Sequence, residues 1–154
     1  MKISTKGRYA LRMMVDLAVN DSGNGDYISL RDVAERQEIS MKYMEQIVSL
    51  LTKGGFLYSV RGPQGGYKLA RRPEAYTAGD ILRVTEGNLV PVICVTSSPN
   101  RCPRADTCPT LDFWDGLHKT VLDYVDSVTL ADLVAIERQK LAEKDRLAEE
   151  SSKA

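Results

Sequence analysis

SMKYMEQIVSLLTKGGFLYSVRGPQGGYKLA, residues 40–70, changes its hydrophobic period part-way along, and that change decides the fold. Up to Lys53 the apolar residues Met44, Ile47, Val48 and Leu51 recur at helical spacing and predict one buried helix face. Ser40 is placed to cap this helix, with Ile39 and Met44 flanking the cap as a hydrophobic staple. Gly54 and Gly55 end it. Beyond them FLYSV (56–60) and YKLA (67–70) read as strands, and RGPQGG (61–66) as a hairpin turn whose glycines allow the unusual dihedrals.

Upstream, Ser29 with Asp32 predicts a short helix whose inner face is Leu30, Val33 and Ala34. Ser4 caps a first helix with Ala10, Met13, Met14, Leu17 and Ala18 on one face, and NDSGNG (20–25) stops it. Tyr27 and Ile28 suit a very short strand. The order helix, helix, helix, hairpin is that of a winged helix-turn-helix over residues 1–77. The fold class expected is mainly α with a small β-hairpin wing, followed by a long C-terminal dimerisation helix.

Downstream, Thr77, Asp80 and Gly87 bound a further short helix, and residues 78–109 comprise that helix and a cysteine-bearing loop. Residues 88–109 lack any periodicity and hold all three cysteines and four of the six prolines. A structureless stretch of this length is uncommon in a compact domain unless it has a function. Helices over 110–136 begin at Thr110 and at Thr129 with Asp132. Leu111, Trp114, Leu117, Val121, Leu122 and Val125 form a core stripe broader than so small a domain can cover, which favours a homodimer. Tyr58, Tyr67 and Tyr76 are expected to pack in the core or the wing. Residues 137–154, almost all charge and alanine, are expected to fray.

The zero net charge is unevenly placed. Residues 1–77 carry 12 Lys/Arg against 8 Asp/Glu, and Lys53–Arg72 holds five basic residues and no acidic one. A positive N-terminal half suits a polyanion such as double-stranded DNA. The outward residues of the 40–53 helix include Lys42, Tyr43, Glu45 and Gln46; Gln46 is suited to adenine and Glu45 to cytosine. Arg61 at the wing tip suits a narrow minor groove, with Lys68 on the flanking strand. Lys2, Lys6 and Arg8 can reach phosphate from the first helix, and Ser4 at its start joins them. The same faces also fit a solvated surface or a protein-binding module.

Cys94, Cys102 and Cys108 follow the spacing C-x7-C-x5-C. An odd number does not pair off within one chain. Three thiolates on one loop suit a soft metal, zinc or an iron–sulfur cluster, given a fourth ligand from elsewhere. The one histidine, His118, stands roughly 12 Å along its helix from Cys108, too far to share a small site. No stretch is long enough to span a bilayer, and the N-terminus lacks the apolar core of a signal peptide, so a cytoplasmic protein without membrane association is expected. There is no phosphate loop and no nucleophile–base–acid set, so an enzyme is not expected.

STKGRYA (4–10), ISMKYMEQ (39–46) and SVRGPQGGY (59–67) resemble the IscR-like regulators of the Rrf-two family of bacterial winged-helix transcription factors. The resemblance spans roughly residues 1–135 and includes a cysteine loop followed by a Trp-bearing helix (Trp114). It implies a cytoplasmic, homodimeric, DNA-binding regulator of iron–sulfur, iron, cysteine or redox genes. It implies a 2Fe–2S or 4Fe–4S cluster on Cys94, Cys102 and Cys108, and DNA contacts by Tyr43, Glu45 and Arg61. Two ligand positions used by related branches are replaced here: a histidine three residues after the third cysteine by Leu111, and a first-helix aspartate by Arg8. The x7–x5 spacing resembles the iron-responsive branch, and the fourth ligand is open. Other relatives carry no cluster and respond to cysteine supply through a partner enzyme.

Overall fold

A computed structural model describes residues 2–97 and 99–153. Each N-terminal helix begins where a hydroxyl satisfies an orphan amide. Ser4 accepts from Gly7 N–H at the start of α1 (Thr5–Val19), Ser29 from Asp32 at α2 (Leu30–Gln37), and Ser40 from Tyr43 at α3 (Met41–Lys53). The α2–α3 turn is made by Glu38 at φ 55, a left-handed conformation that is unusual for a side chain with a Cβ. Two bonds hold it there: Glu38 N–H donates to Glu35 O and Ile39 N–H to Ala34 O.

The three helices converge on Met13, Met14, Leu17, Val33, Met44, Ile47 and Leu51, all essentially inaccessible. Ile39 is buried beside Met44, as the staple requires. One charge lies among them. Asp16 is 5% exposed and accepts from Arg36 Nε and NH2 and from Gln37 Nε2, which ties α1 to the end of α2. The bond to Asp16 raises the Arg36 pKa above its ordinary value.

β1 (Leu57–Val60) and β2 (Gly66–Leu69) pair antiparallel, Leu57 opposite Leu69 and Val60 opposite Gly66. Ile28 adds a one-residue rung through reciprocal bonds with Tyr67, at 2.9 and 2.8 Å. Gly66 is needed for this approach, because a Cβ there would overlap the Ile28 carbonyl. Tyr67 packs against the core and Tyr76 is fully buried. Tyr58, expected to pack with them, is 56% exposed, because its strand turns only Leu57 inward.

α4 (Ala78–Glu86) starts with a capping box between Thr77 and Asp80. Thr77 forms a bridge with Thr129, flanked by Ala78 N–H to Val128 O and Leu130 N–H to Tyr76 O. These bonds fix the junction of α5 (Leu111–Ser127) and α6 (Leu130–Lys153) against the head of α4. Arg83 of α4 meets Asp126 of α5 through two 2.7 Å bonds. No residue of α5 is buried, so its apolar stripe is not part of the protomer's core. α6 continues to Lys153 where a frayed tail was expected. Its outer turns are rich in Ala, Leu, Glu, Lys and Arg, strong helix formers, and carry an Arg146–Glu143 pair one turn apart. Among the described residues no helix is long and apolar enough to cross a membrane.

Tyr76 Oη donates to Phe56 O and accepts from Arg71 N–H, both at 2.8 Å. Tyr76→Phe strands both partners. It is expected to cost about 1–3 kcal/mol in urea denaturation, whereas Tyr58→Phe on the exposed strand face stays within about 0.5 kcal/mol.

Candidate nucleic-acid interface and cysteine loop

α3 presents Met41, Lys42, Glu45, Gln46 and Ser49 to solvent on the side opposite its buried stripe. Glu45 and Gln46 therefore stand together, free to meet a groove. Tyr43 is half-buried instead of fully outward. Its ring stands edge-on to Tyr9 of α1, centroids 5.7 Å apart. The guanidinium groups of Arg12 and Arg8 lie 5.4 and 5.9 Å from the Tyr9 ring centroid. Arg12 also donates to the Gln37 side chain and carbonyl. Tyr9 and Arg12 thus hold Tyr43 in position, a role no local sequence pattern marks.

Arg61 is exposed at the wing, clear of α3. Lys68 is committed elsewhere: Nζ donates to Gly25 O at 3.2 Å and lies 4.6 Å from the Tyr27 ring centroid. It pins the 20–27 loop to the wing, so its charge is only partly available to a phosphate. Ser4 is also engaged. Its Oγ accepts from Gly7 N–H and donates to Glu86 Oε1 at 2.5 Å, and Ser4 N–H donates to Glu86 Oε2. Lys6 is half-buried on the first turn of α1. Glu86, at the end of α4, places a carboxylate at the amino end of α1, where the helix dipole favours it. A Cβ on Gly7 would overlap Glu86 Oε1, so glycine there makes room for this contact.

The cysteine loop is partly organised. Cys94 sits in a 3-10 turn, Ile93–Val95, that packs against α5. Asn100 joins it to Cys102: Nδ2 donates to Cys94 O at 2.7 Å, and Cys102 N–H donates to Oδ1 at 2.9 Å. Cys94 and Cys102 line one cavity of about 450 Å³. On its other side Cys94 faces a cavity of about 410 Å³, shared with Leu111 and Asp115 of α5. Cys108 lines neither; its Sγ lies 3.5 Å from Thr110 Oγ1. All three thiols are half-buried. Among the described residues no three Cys, His, Asp or Glu side chains converge on one metal position. Arg8, exposed on α1, bonds Thr5, and His118 is half-buried midway along α5.

In kind, this donor set fits an iron–sulfur cluster. Three cysteines with some solvent access lie on one segment, and two of them line one cavity. In position the three do not share one site: Cys94 and Cys102 line one cavity together, and Cys108 lines neither of the two around Cys94. Asn100 is the organising residue that the composition of the loop concealed; an Asn two residues before a cysteine is the Asx-turn pattern that signals it.

Thr110 stabilises the Cys108 thiolate through its hydroxyl and its backbone N–H, with Leu111 N–H and the charge of Arg104 adding to the effect. The Cys108 pKa is thereby lowered, so its alkylation by iodoacetamide in metal-free protein is expected to reach half-maximal rate at a lower pH than that of free cysteine. Thr110→Val moves the midpoint up, as read by mass spectrometry of the Cys108 peptide.

A family profile described as an iron-dependent transcriptional regulator, Rrf2, matches residues 3–136. Protein rrf2 of Nitratidesulfovibrio vulgaris is 37% identical over 134 residues, covering 87% of each chain. The structure of CymR, the global cysteine regulator of B. subtilis, superposes with a TM-score of 0.73 at 38% identity, over 88% of this chain and 98% of that one. IscR of T. potens gives 0.68 at 39% identity, over 89% and 88%. With the reading helix, the wing and the six-helix order all in place, the chain belongs to the Rrf2 family of DNA-binding transcriptional regulators and is not an enzyme.

Proposed function

We propose that this protein is a cytoplasmic homodimer that binds double-stranded DNA sequence-specifically, and that it reports iron–sulfur, iron or redox status through Cys94, Cys102 and Cys108. One observation supports the sensing part: Asn100 joins the backbones of Cys94 and Cys102, and both residues line one cavity, on the loop that leaves α4. Glu45 and Gln46 read base edges from α3, held in register by Tyr43. Arg61 enters the minor groove from the wing. Lys6 supplies a phosphate contact, and Ser4 positions the amino end of α1 through Glu86. Lys68 acts mainly by fixing the wing to the 20–27 loop.

A bound 2Fe–2S or 4Fe–4S cluster supplies an iron- and redox-dependent cross-link of the loop. The protein's own residues do the rest. Asn100 fixes the spacing of Cys94 and Cys102. Thr110 keeps Cys108 disposed to ionise. The turn carrying Cys94 rests on α5, so a change in the loop is felt by that helix.

A second reading has its own support. The thiols do not yet converge, and the fold superposes closely on the cysteine regulator. In that reading the chain carries no cluster and responds to cysteine supply through a protein partner. Anaerobic reconstitution with iron and sulfide separates the two. The cluster reading expects brown protein with acid-labile sulfide, and loss of the visible absorbance in Cys102→Ser. Colourless, iron-free wild-type protein defeats it.

The exposure of Phe113, Leu117 and Tyr124 on α5, at 63%, 38% and 70%, supports this helix as the proposed dimer contact. Burying such apolar side chains contributes roughly 1.5–3 kcal/mol each. Leu117→Asp with Tyr124→Asp is therefore expected to halve the mass seen by sedimentation while leaving the far-ultraviolet circular dichroism unchanged.

A further inference from the structure

We infer that the cavity walled by α1, the end of α2 and α6 binds a small aliphatic carboxylate, and that its occupant acts on the reading helix through Arg12. The cavity measures about 480 Å³, within the range of small-molecule sites. None of the residues lining it belongs to α5 or to the cysteine loop, so it stands apart from the proposed dimer contact and from the thiols. Leu11, Val15, Leu133 and Ile136 give it an aliphatic wall, with no aromatic ring among the described residues to stack on a planar ligand. The family profile ends at residue 136, so Glu137 and Lys140 at its rim come from the extension of α6 past the matched region.

The charges at the rim are not balanced. Arg36 is paired with the buried Asp16. Arg12 bonds only uncharged acceptors among the described residues, the Gln37 amide oxygen at 3.0 Å and the Gln37 carbonyl at 2.8 Å. Lys140 is exposed and, like Glu137 one turn before it, has no hydrogen bond or ion pair among the described residues. Two unpaired cations therefore line the cavity with one carboxylate, and a single negative charge on the ligand restores the balance. An Arg guanidinium takes a carboxylate through two parallel bonds, while the ligand's chain lies on the aliphatic wall.

The same guanidinium lies 5.4 Å from the Tyr9 ring centroid, and Tyr9 stands edge-on to Tyr43 of α3 at 5.7 Å. A bound carboxylate is a stronger acceptor than either Gln37 oxygen and draws Arg12 off Gln37 and Tyr9. Tyr43 then loses part of what holds it, and DNA affinity falls. By linkage, DNA lowers the ligand's affinity by the same factor.

The test uses the full-length protein and three probes of one chain length, hexanoate, hexan-1-ol and hexylamine, followed by methyl-resolved NMR titration. Hexanoate is expected to shift the Leu11, Val15, Leu133 and Ile136 methyls saturably, with a Kd on the order of 1 mM, as so small a ligand allows. The alcohol and the amine bind at least about tenfold more weakly. Lys140→Glu and Ile136→Glu, both at exposed positions, keep the wild-type circular dichroism and weaken hexanoate about tenfold by setting a like charge beside it. Arg138→Glu, on α6 but outside the cavity, matches wild type. Saturating hexanoate lowers affinity for a duplex selected by the protein from a random pool about fivefold. The absence of a saturable shift at about 10 mM hexanoate, equal binding of hexan-1-ol, or unchanged binding in Lys140→Glu overturns the site. Hexanoate that binds without changing DNA affinity overturns the link to α3.

Discussion

The Tyr76 hydroxyl ties the wing to the rest of the molecule. Phe56 precedes β1 and Arg71 follows β2, so one buried oxygen closes the base of the hairpin by accepting from one side and donating to the other. The same residue's carbonyl receives Leu130 N–H, at the start of α6. Arg71 stacks over the Tyr76 and Phe56 rings, shielding the bonds from water. A two-stranded hairpin is marginal alone. Here it is held in a defined place relative to α3, which a DNA reader needs if wing and helix are to meet two grooves at once.

A second constraint connects the cysteine loop to that reader. Glu86 is the last residue of α4, and the loop leaves one residue later through Gly87 at φ 77. The Glu86 carboxylate caps α1, reached only because residue 7 has no side chain. The end of α1 that faces outward and the root of the loop therefore share one hydrogen-bonded contact. The buried Asp16 carboxylate, met by the more exposed Arg36 and by Gln37, extends the same rigidity from α1 to α2, and removing Arg36 would leave a buried charge without its cation.

Much of this was legible because it is local. Ser4, Ser29, Ser40 and Thr77 announce helix starts through hydrogen bonds to amides only three residues away. The period change after Gly55 announces the wing. What stayed hidden depends on distant partners or on a missing signal. Glu38 makes the helix-turn-helix bend although glutamate carries no turn preference; the two backbone bonds impose it. Lys68 looked like a free cation on a wing strand until Gly25 and Tyr27, over forty residues away, claimed it. The apolar stripe of α5 reads the same whether it is covered by its own chain or by a second one, so periodicity alone assigned it to a core it does not enter. The helical tail was missed because charge suggested solvation, and helix propensity does not require burial.

The loop itself shows why ligand residues can be named from sequence while their geometry cannot. Both outer cysteines are referenced to α5: Cys94 through the turn packed on it, Cys108 through Thr110 at its head. Cys102 is referenced to Cys94 through Asn100. The arm from Pro103 to Cys108 carries one 3-10 turn, at Ala105–Thr107. On the proposed reading α5 carries both the turn that holds Cys94 and the dimer contact, so a rearrangement of the loop against α5 would be transmitted toward the second chain.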